Sequence, residues 1–118
     1  MRSQRLAFHA YECVRKVAEA DPKGKEYKIA VNDLAANILR VGLSAALAVL
    51  ERQRGERGGI LLEQLASANV AGLEGASRDN LAERIRQLDV DAYMIATREM
   101  LQLAAWLKRA AQATFEDD

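Results

Sequence analysis

An all-α fold, a compact single-domain bundle of about six helices, is predicted by three features of this 118-residue sequence. Half of the residues are hydrophobic but few are aromatic, and Ala and Leu dominate while Pro22 is the sole proline. That balance favours helix over sheet. Apolar residues recur every three or four positions rather than alternating, and short runs of Gly and small polar residues interrupt them.

The first helix is predicted from Ser3 to Ala20, with Leu6, Ala10, Cys13, Val14 and Val17 as its buried stripe. Glu12 and Lys16 form a supporting i,i+4 pair. Asp21-Pro22-Lys23-Gly24 ends it, because Pro22 lacks a donor and disfavours helix at Asp21. A second helix, Lys25 to Val41, buries Tyr27, Ala30, Val31, Leu34, Ile38 and Val41, and Gly42 suits a left-handed residue beyond its end. The third runs from Leu43 to Gln53 and packs through Leu47, Val49 and Leu50. Arg54-Gly55-Glu56-Arg57-Gly58-Gly59 reads as a mobile, charged loop. A short helix from Ile60 to Ala68 buries Ile60, Leu61, Leu62 and Leu65, and a small-residue connector spans Ser67 to Ala76. Ser77 is expected to cap the next helix, with Asp79 in its first turn and Leu81, Ile85 and Leu88 buried.

Asp89 or Asp91 then caps one long last helix. Tyr93, Thr97, Met100, Leu101, Ala104, Leu107 and Ala111 form its broad apolar face, and Arg98, Gln102, Arg109 and Gln112 lie opposite. Met94 and Met100 are expected to fill the core. The helix should fray into a disordered acidic tail, Glu116-Asp117-Asp118, of a single domain spanning 1–118. Connections this short are those of helix bundles.

Several function classes are disfavoured. The sequence holds no run of about 18 apolar residues, so no membrane span is expected. The positive N-terminus lacks an apolar core behind it, which argues against secretion. Cys13 is the sole cysteine, which fits a reducing, cytoplasmic setting. His9 and Cys13 stand four apart on one helical face, but no other His or Cys completes a metal site. Neither a nucleophile–His arrangement nor a Gly-rich phosphate loop occurs. Asp89 and Asp91 read as helix-capping groups. No catalytic residue, metal or cofactor is predicted.

Charge is balanced overall, 17 basic against 17 acidic residues, but the two halves differ. Residues 1–60 carry 11 Lys/Arg and 7 Asp/Glu, a balance of +4; residues 61–118 carry 6 and 10, a balance of −4. Such a split suits a head that attracts phosphate and a tail that does not, opposed patches that meet head to tail between copies, or ordinary variation of charge on solvated helix faces. Candidate contacts to a nucleic-acid backbone are Arg40 at the end of the second helix, Arg52, Arg54 and Arg57 around the glycine-rich segment, and Arg98, Lys108 and Arg109 on the last helix. Such side chains grip phosphate without reading bases. Trp106, about 100° from the core stripe, either packs at the edge of its own core or serves as the candidate protein-interface residue. From these residues alone, the competing reading is a free-standing helical adaptor or homo-oligomer without nucleic acid, docking through Trp106 and the Leu-rich short helix.

Three motifs add a resemblance. Ala10-Tyr11-Glu12-Cys13-Val14 lies near the start. Ile38-Leu39-Arg40-Val41-Gly42-Leu43-Ser44-Ala45-Ala46-Leu47-Ala48 follows, and Tyr93, Thr97-Arg98-Glu99 and Ala105-Trp106-Leu107-Lys108-Arg109 close the set. In this order, from about Ala7 to Glu116, they resemble the small α-helical subunit of the type III-B (Cmr) CRISPR RNA-targeting complex. Ala110 and Val49 stand where that family commonly has an aromatic. The resemblance implies a non-catalytic part of an antiviral ribonucleoprotein, stacked in copies beside a guide–target duplex. The implied partners are guide RNA, target RNA, the large polymerase-like subunit, the repeated backbone subunit and further copies of the chain. Bond cleavage would belong to the other subunits.

Overall fold

The computed structural model describes residues 2–52 and 56–115, and six α-helices account for most of them. They are α1 (Arg2–Ala20), α2 (Lys25–Val41), α3 (Leu43–Arg52), α4 (Glu56–Ser67), α5 (Leu81–Arg86) and α6 (Val90–Thr114). No strand occurs among the described residues. One hydrophobic cluster draws on every helix, from Leu6 in α1 to Ala111 in α6.

The long helix α6 is the axis of the bundle. Asp89 caps it, its carboxylate accepting the Ala92 N–H at 2.8 Å, which places a negative charge at the positive end of the helix dipole. α2 packs antiparallel to α6, and its two ends fix that direction. At the start of α2, Tyr27 meets Phe115 edge-on, ring centroids 6.1 Å apart. Beyond its other end, the Tyr93 hydroxyl accepts the Ser44 N–H at 3.0 Å. α1 lies along another side of α6 and is tied to α4 by the contact of His9 Nε2 with the Gln64 carbonyl at 2.9 Å.

Several expectations need correction. The Glu56–Gly59 part of the charged segment is helical, since α4 begins at Glu56. Burial of Leu61, Leu62 and Leu65 outweighs the roughly 1 kcal/mol that each glycine costs a helix. Gly59 also lets the Arg78 guanidinium approach, because a Cβ there would sit 3.1 Å from Nη1. Gln53 and Arg54, like the tail 116–118, lie outside the described residues. Ser77 does not cap α5. Its carbonyl accepts from Asn80 and Leu81 while the Asn80 side chain accepts the Ser77 N–H, so Asp79 belongs to a separate turn ahead of the helix.

Several residues assigned to the core are not fully buried. Val41 is 49% exposed, because the chain turns away at Gly42 and Leu43 and Leu47 take over the packing. Met94 is 58% exposed. The buried line of α6 runs through Ala96, Met100, Leu103, Leu107 and Ala110, and Met94 lies about 200° of helical turn from Ala96. Cys13, Val49, Ile60, Leu88, Tyr93 and Leu101 are half-buried at the core's margin.

The connector between α4 and α5 is more ordered than its small residues suggest. Ala68, Val70 and Leu73 are buried in it. Three charged side chains hold its backbone. Arg5 donates to the carbonyls of Ala68 (2.7 Å) and Asn69 (3.2 Å), and Arg84 donates to that of Glu74 (2.6 Å). The Glu99 carboxylate accepts the Ala71 N–H at 3.0 Å. α1, α5 and α6 therefore all clamp the same loop.

Candidate nucleic-acid interface

The basic residues singled out in the sequence do not form one patch. Arg40, exposed in the last turn of α2, donates to Asn37 Oδ1 at 2.8 Å. It stands near the Tyr93 end of α6. Lys108 and Arg109 are exposed some fifteen residues further along α6, about 22 Å away at 1.5 Å per residue. Arg52 ends α3, about 12 Å from Ser44 along that helix. Arg98 and Arg109 project along nearly the same outward line of α6, about 16 Å apart. The backbone of Arg57 falls in the first turn of α4; Arg54 lies outside the described residues.

Trp106 is half-buried against the core, and the Arg109 guanidinium carbon lies 5.2 Å from its ring centroid. The cation over the ring face orients both side chains. Arg98 borders a shallow groove of about 310 Å³ with Tyr93, Met94, Thr97 and Leu101. The apolar end of the molecule escaped the sequence reading. Leu39 and Val90 are each 74% exposed, Leu39 beside Val41 at the end of α2 and Val90 one turn from Met94 at the start of α6. The signal was present, since Leu39 and Val90 fall off the periodic stripes of their helices.

The titratable groups inside the fold are structural. The Tyr27 hydroxyl donates to Gln64 Oε1 at 2.6 Å, and Gln64 is the one buried polar residue among the described residues. Burial pushes the Tyr27 hydroxyl upward, with the nearby Cys13 adding to the shift and the Gln64 bond opposing it. Cys13 Sγ lies 3.3 Å from His9 Nε2. The Gln64 carbonyl can only accept, so the His9 ring proton sits on Nε2. Burial raises the Cys13 thiol to about 11, which keeps it a poor nucleophile. On the surface, the Arg15 guanidinium bonds Glu12 and Glu19, and its hydrogen bond holds the Glu12 carboxyl below the usual range. Among the described residues, no three His, Cys, Asp or Glu side chains converge as a metal site. No helix among them is long and apolar enough to cross a membrane.

These features define a small all-helical protein whose distinctive chemistry lies on its surfaces. The family model of the CRISPR-associated protein Cmr5 matches residues 2–114. The "CRISPR system Cmr subunit Cmr5" of Thermus thermophilus is 37% identical over 116 residues, covering 98% of this chain and 97% of the relative. The crystal structure of a CRISPR-associated Cmr5 family protein from Thermus thermophilus superposes with a TM-score of 0.87 at 35% identity, covering 98% of each chain. The chain belongs to the Cmr5 family.

Proposed function

We propose that the chain is a non-catalytic structural subunit of a type III-B Cmr ribonucleoprotein acting in antiviral defence. Copies stack in its inner filament beside the guide–target duplex, against the large polymerase-like subunit and the repeated backbone subunit. The observation that carries this reading is the relationship to a Cmr subunit along the whole chain, at 37% identity. The surface chemistry supports it: exposed Arg40, Arg52, Arg98, Lys108 and Arg109 suit sequence-independent phosphate contact. Arg54 and Arg57 belong to the same candidate set. Trp106, with Arg109 across its ring, is proposed to sit at a subunit contact. The single-domain organisation and a cytoplasmic setting are part of the same proposal.

Tagged purification from the native host tests the assembly, which predicts co-purifying guide RNA and other Cmr subunits. Recovery with one unrelated protein and no RNA would overturn it. Because Arg40 and the Lys108–Arg109 pair stand at different ends of α6, reversing charge at each should weaken target-RNA retention separately and additively. Each lost phosphate contact lowers the salt slope by about 1. Retention unchanged across several salt concentrations would remove these residues from the interface.

A further inference from the structure

The outward face of α6 is self-complementary. Opposite the buried line of Ala96, Met100, Leu103 and Leu107 stand Asp91 and Arg98, with Met94 on one flank and Ile95 on the other. All four are exposed, Met94 by 58% and Ile95 by 49%. Among the described residues neither Asp91 nor Arg98 has an ion-pair partner. Of the eight large exposed hydrophobics among the described residues, five lie at this end of the molecule: Leu39, Val41, Val90, Met94 and Ile95. Clustered apolar exposure of this kind marks a contact surface.

We infer that this face joins two copies of the chain about a two-fold axis midway between Met94 and Ile95. In an antiparallel pair of α6 helices centred there, residues equally far from the midpoint face each other. Asp91 and Arg98 lie at equal distances on opposite sides, so each Asp91 meets Arg98 of the second copy, twice over. Met94 meets its own counterpart along one flank and Ile95 along the other. A parallel pair would instead set Asp91 on Asp91 and Arg98 on Arg98, so charge selects the antiparallel arrangement. A two-fold contact closes at two copies. It is a property of the free chain, distinct from any head-to-tail stack, and stands independently of the assembly reading. The seam is short against the roughly 800 Å² per partner of a stable pair, so the dimer is weak and concentration-dependent.

Sedimentation equilibrium of the full chain from about 10 μM to about 1 mM, at low salt, covers the range in which such a contact populates. The expected result is a monomer–dimer equilibrium. Asp91→Arg and Arg98→Asp should each weaken it at least about tenfold, since each sets like charges opposite one another twice. The combined D91R/R98D chain should recover to within about threefold of the original, because the pairs re-form with signs exchanged. Met94→Asp should abolish the dimer while the helical circular dichroism and melting midpoint of each variant certify the fold. A monomer across the whole range, growth beyond two copies, indifference to the single reversals, or failure of the double reversal to recover would each overturn the inference.

Discussion

Replacing Gly24 by alanine probes how the α1–α2 turn and the end of α6 hold each other. Gly24 adopts φ 51° and ψ 36°, a left-handed conformation just ahead of α2. A Cβ there would lie 2.5, 2.7 and 3.0 Å from Cε1, Cζ and Cδ1 of Phe115. The ring has little room to retreat, being 3% exposed and set edge-on against Tyr27. Alanine in a left-handed conformation costs about 1 kcal/mol. Displacing a packed ring adds about 1–3 kcal/mol, for a total of roughly 2–4 kcal/mol. For a domain of this size, about 3 kcal/mol lowers the melting midpoint by roughly 10 °C. Urea unfolding of Gly24→Ala, Phe115→Ala and the double variant separates the two contributions. With the ring gone, Gly24→Ala should cost only about 1 kcal/mol, leaving a coupling of at least about 1 kcal/mol in the cycle. Strictly additive costs would refute the steric account.

The Cys13 thiol, raised from 9.0 to about 11, should react with an aromatic disulfide at pH 8 about a hundredfold more slowly in the native than in the urea-unfolded chain; equal rates would show it unshielded. Since the folded value lies above the unfolded one, the native chain keeps a proton that the unfolded chain loses. The Cys13 share of stability is therefore full below pH 9 and should fall by about 1–2 kcal/mol by pH 11, after allowance for partial exposure, with the raised Tyr27 hydroxyl adding to the loss above pH 10; a rise across that window contradicts the assignment. Tyr27→Phe strands the Gln64 Oε1 acceptor in the core and should cost about 1–3 kcal/mol in denaturant, whereas a neutral change would mean that water replaces the bond. Glu99→Leu should cost about 1–2 kcal/mol by leaving the Ala71 N–H unmet, while Glu99→Gln keeps an acceptor and most of the stability; equal losses would point to charge instead.

The helices were legible because most of the bundle obeys a simple period. Leu6, Ala10, Val14 and Val17, or Val31, Leu34 and Ile38, declare their buried faces by spacing alone, and each is buried. The start of α6 was readable from capping chemistry as Asp89 or Asp91, and the structure selects Asp89. What periodicity misses is set by contacts distant in the chain. Gly58 and Gly59 look like loop residues, and only the packing of α4 on its neighbours makes them helical. Val41 looks inward until the chain turns at Gly42. Ala68, Val70 and Leu73 carry no helical rhythm, so their burial follows from hydrogen bonds made by residues 28 to 64 positions away. The exposed end formed by Leu39, Val90 and Met94 was readable only as apolar residues off their stripes, a signal that helix-by-helix analysis discards.

This bracing changes what the charge distribution means. Counted by halves, the sequence has a positive start and a negative end. Arg5, Arg84 and Glu99, however, spend their charge on the backbone of the 68–76 connector, and Arg15 is shared between Glu12 and Glu19. A charge held by the fold is a weaker site for phosphate, since turning outward would break bonds that order the loop. Of the candidate contacts, Arg98 on the outward face of α6 beside Asp91, Arg40 at the end of α2, Arg52 at the end of α3, and Lys108 and Arg109 toward the end of α6 stay exposed. On the proposed reading, recognition depends on the spacing of a few exposed side chains on α2, α3 and α6 rather than on the net sign of either half.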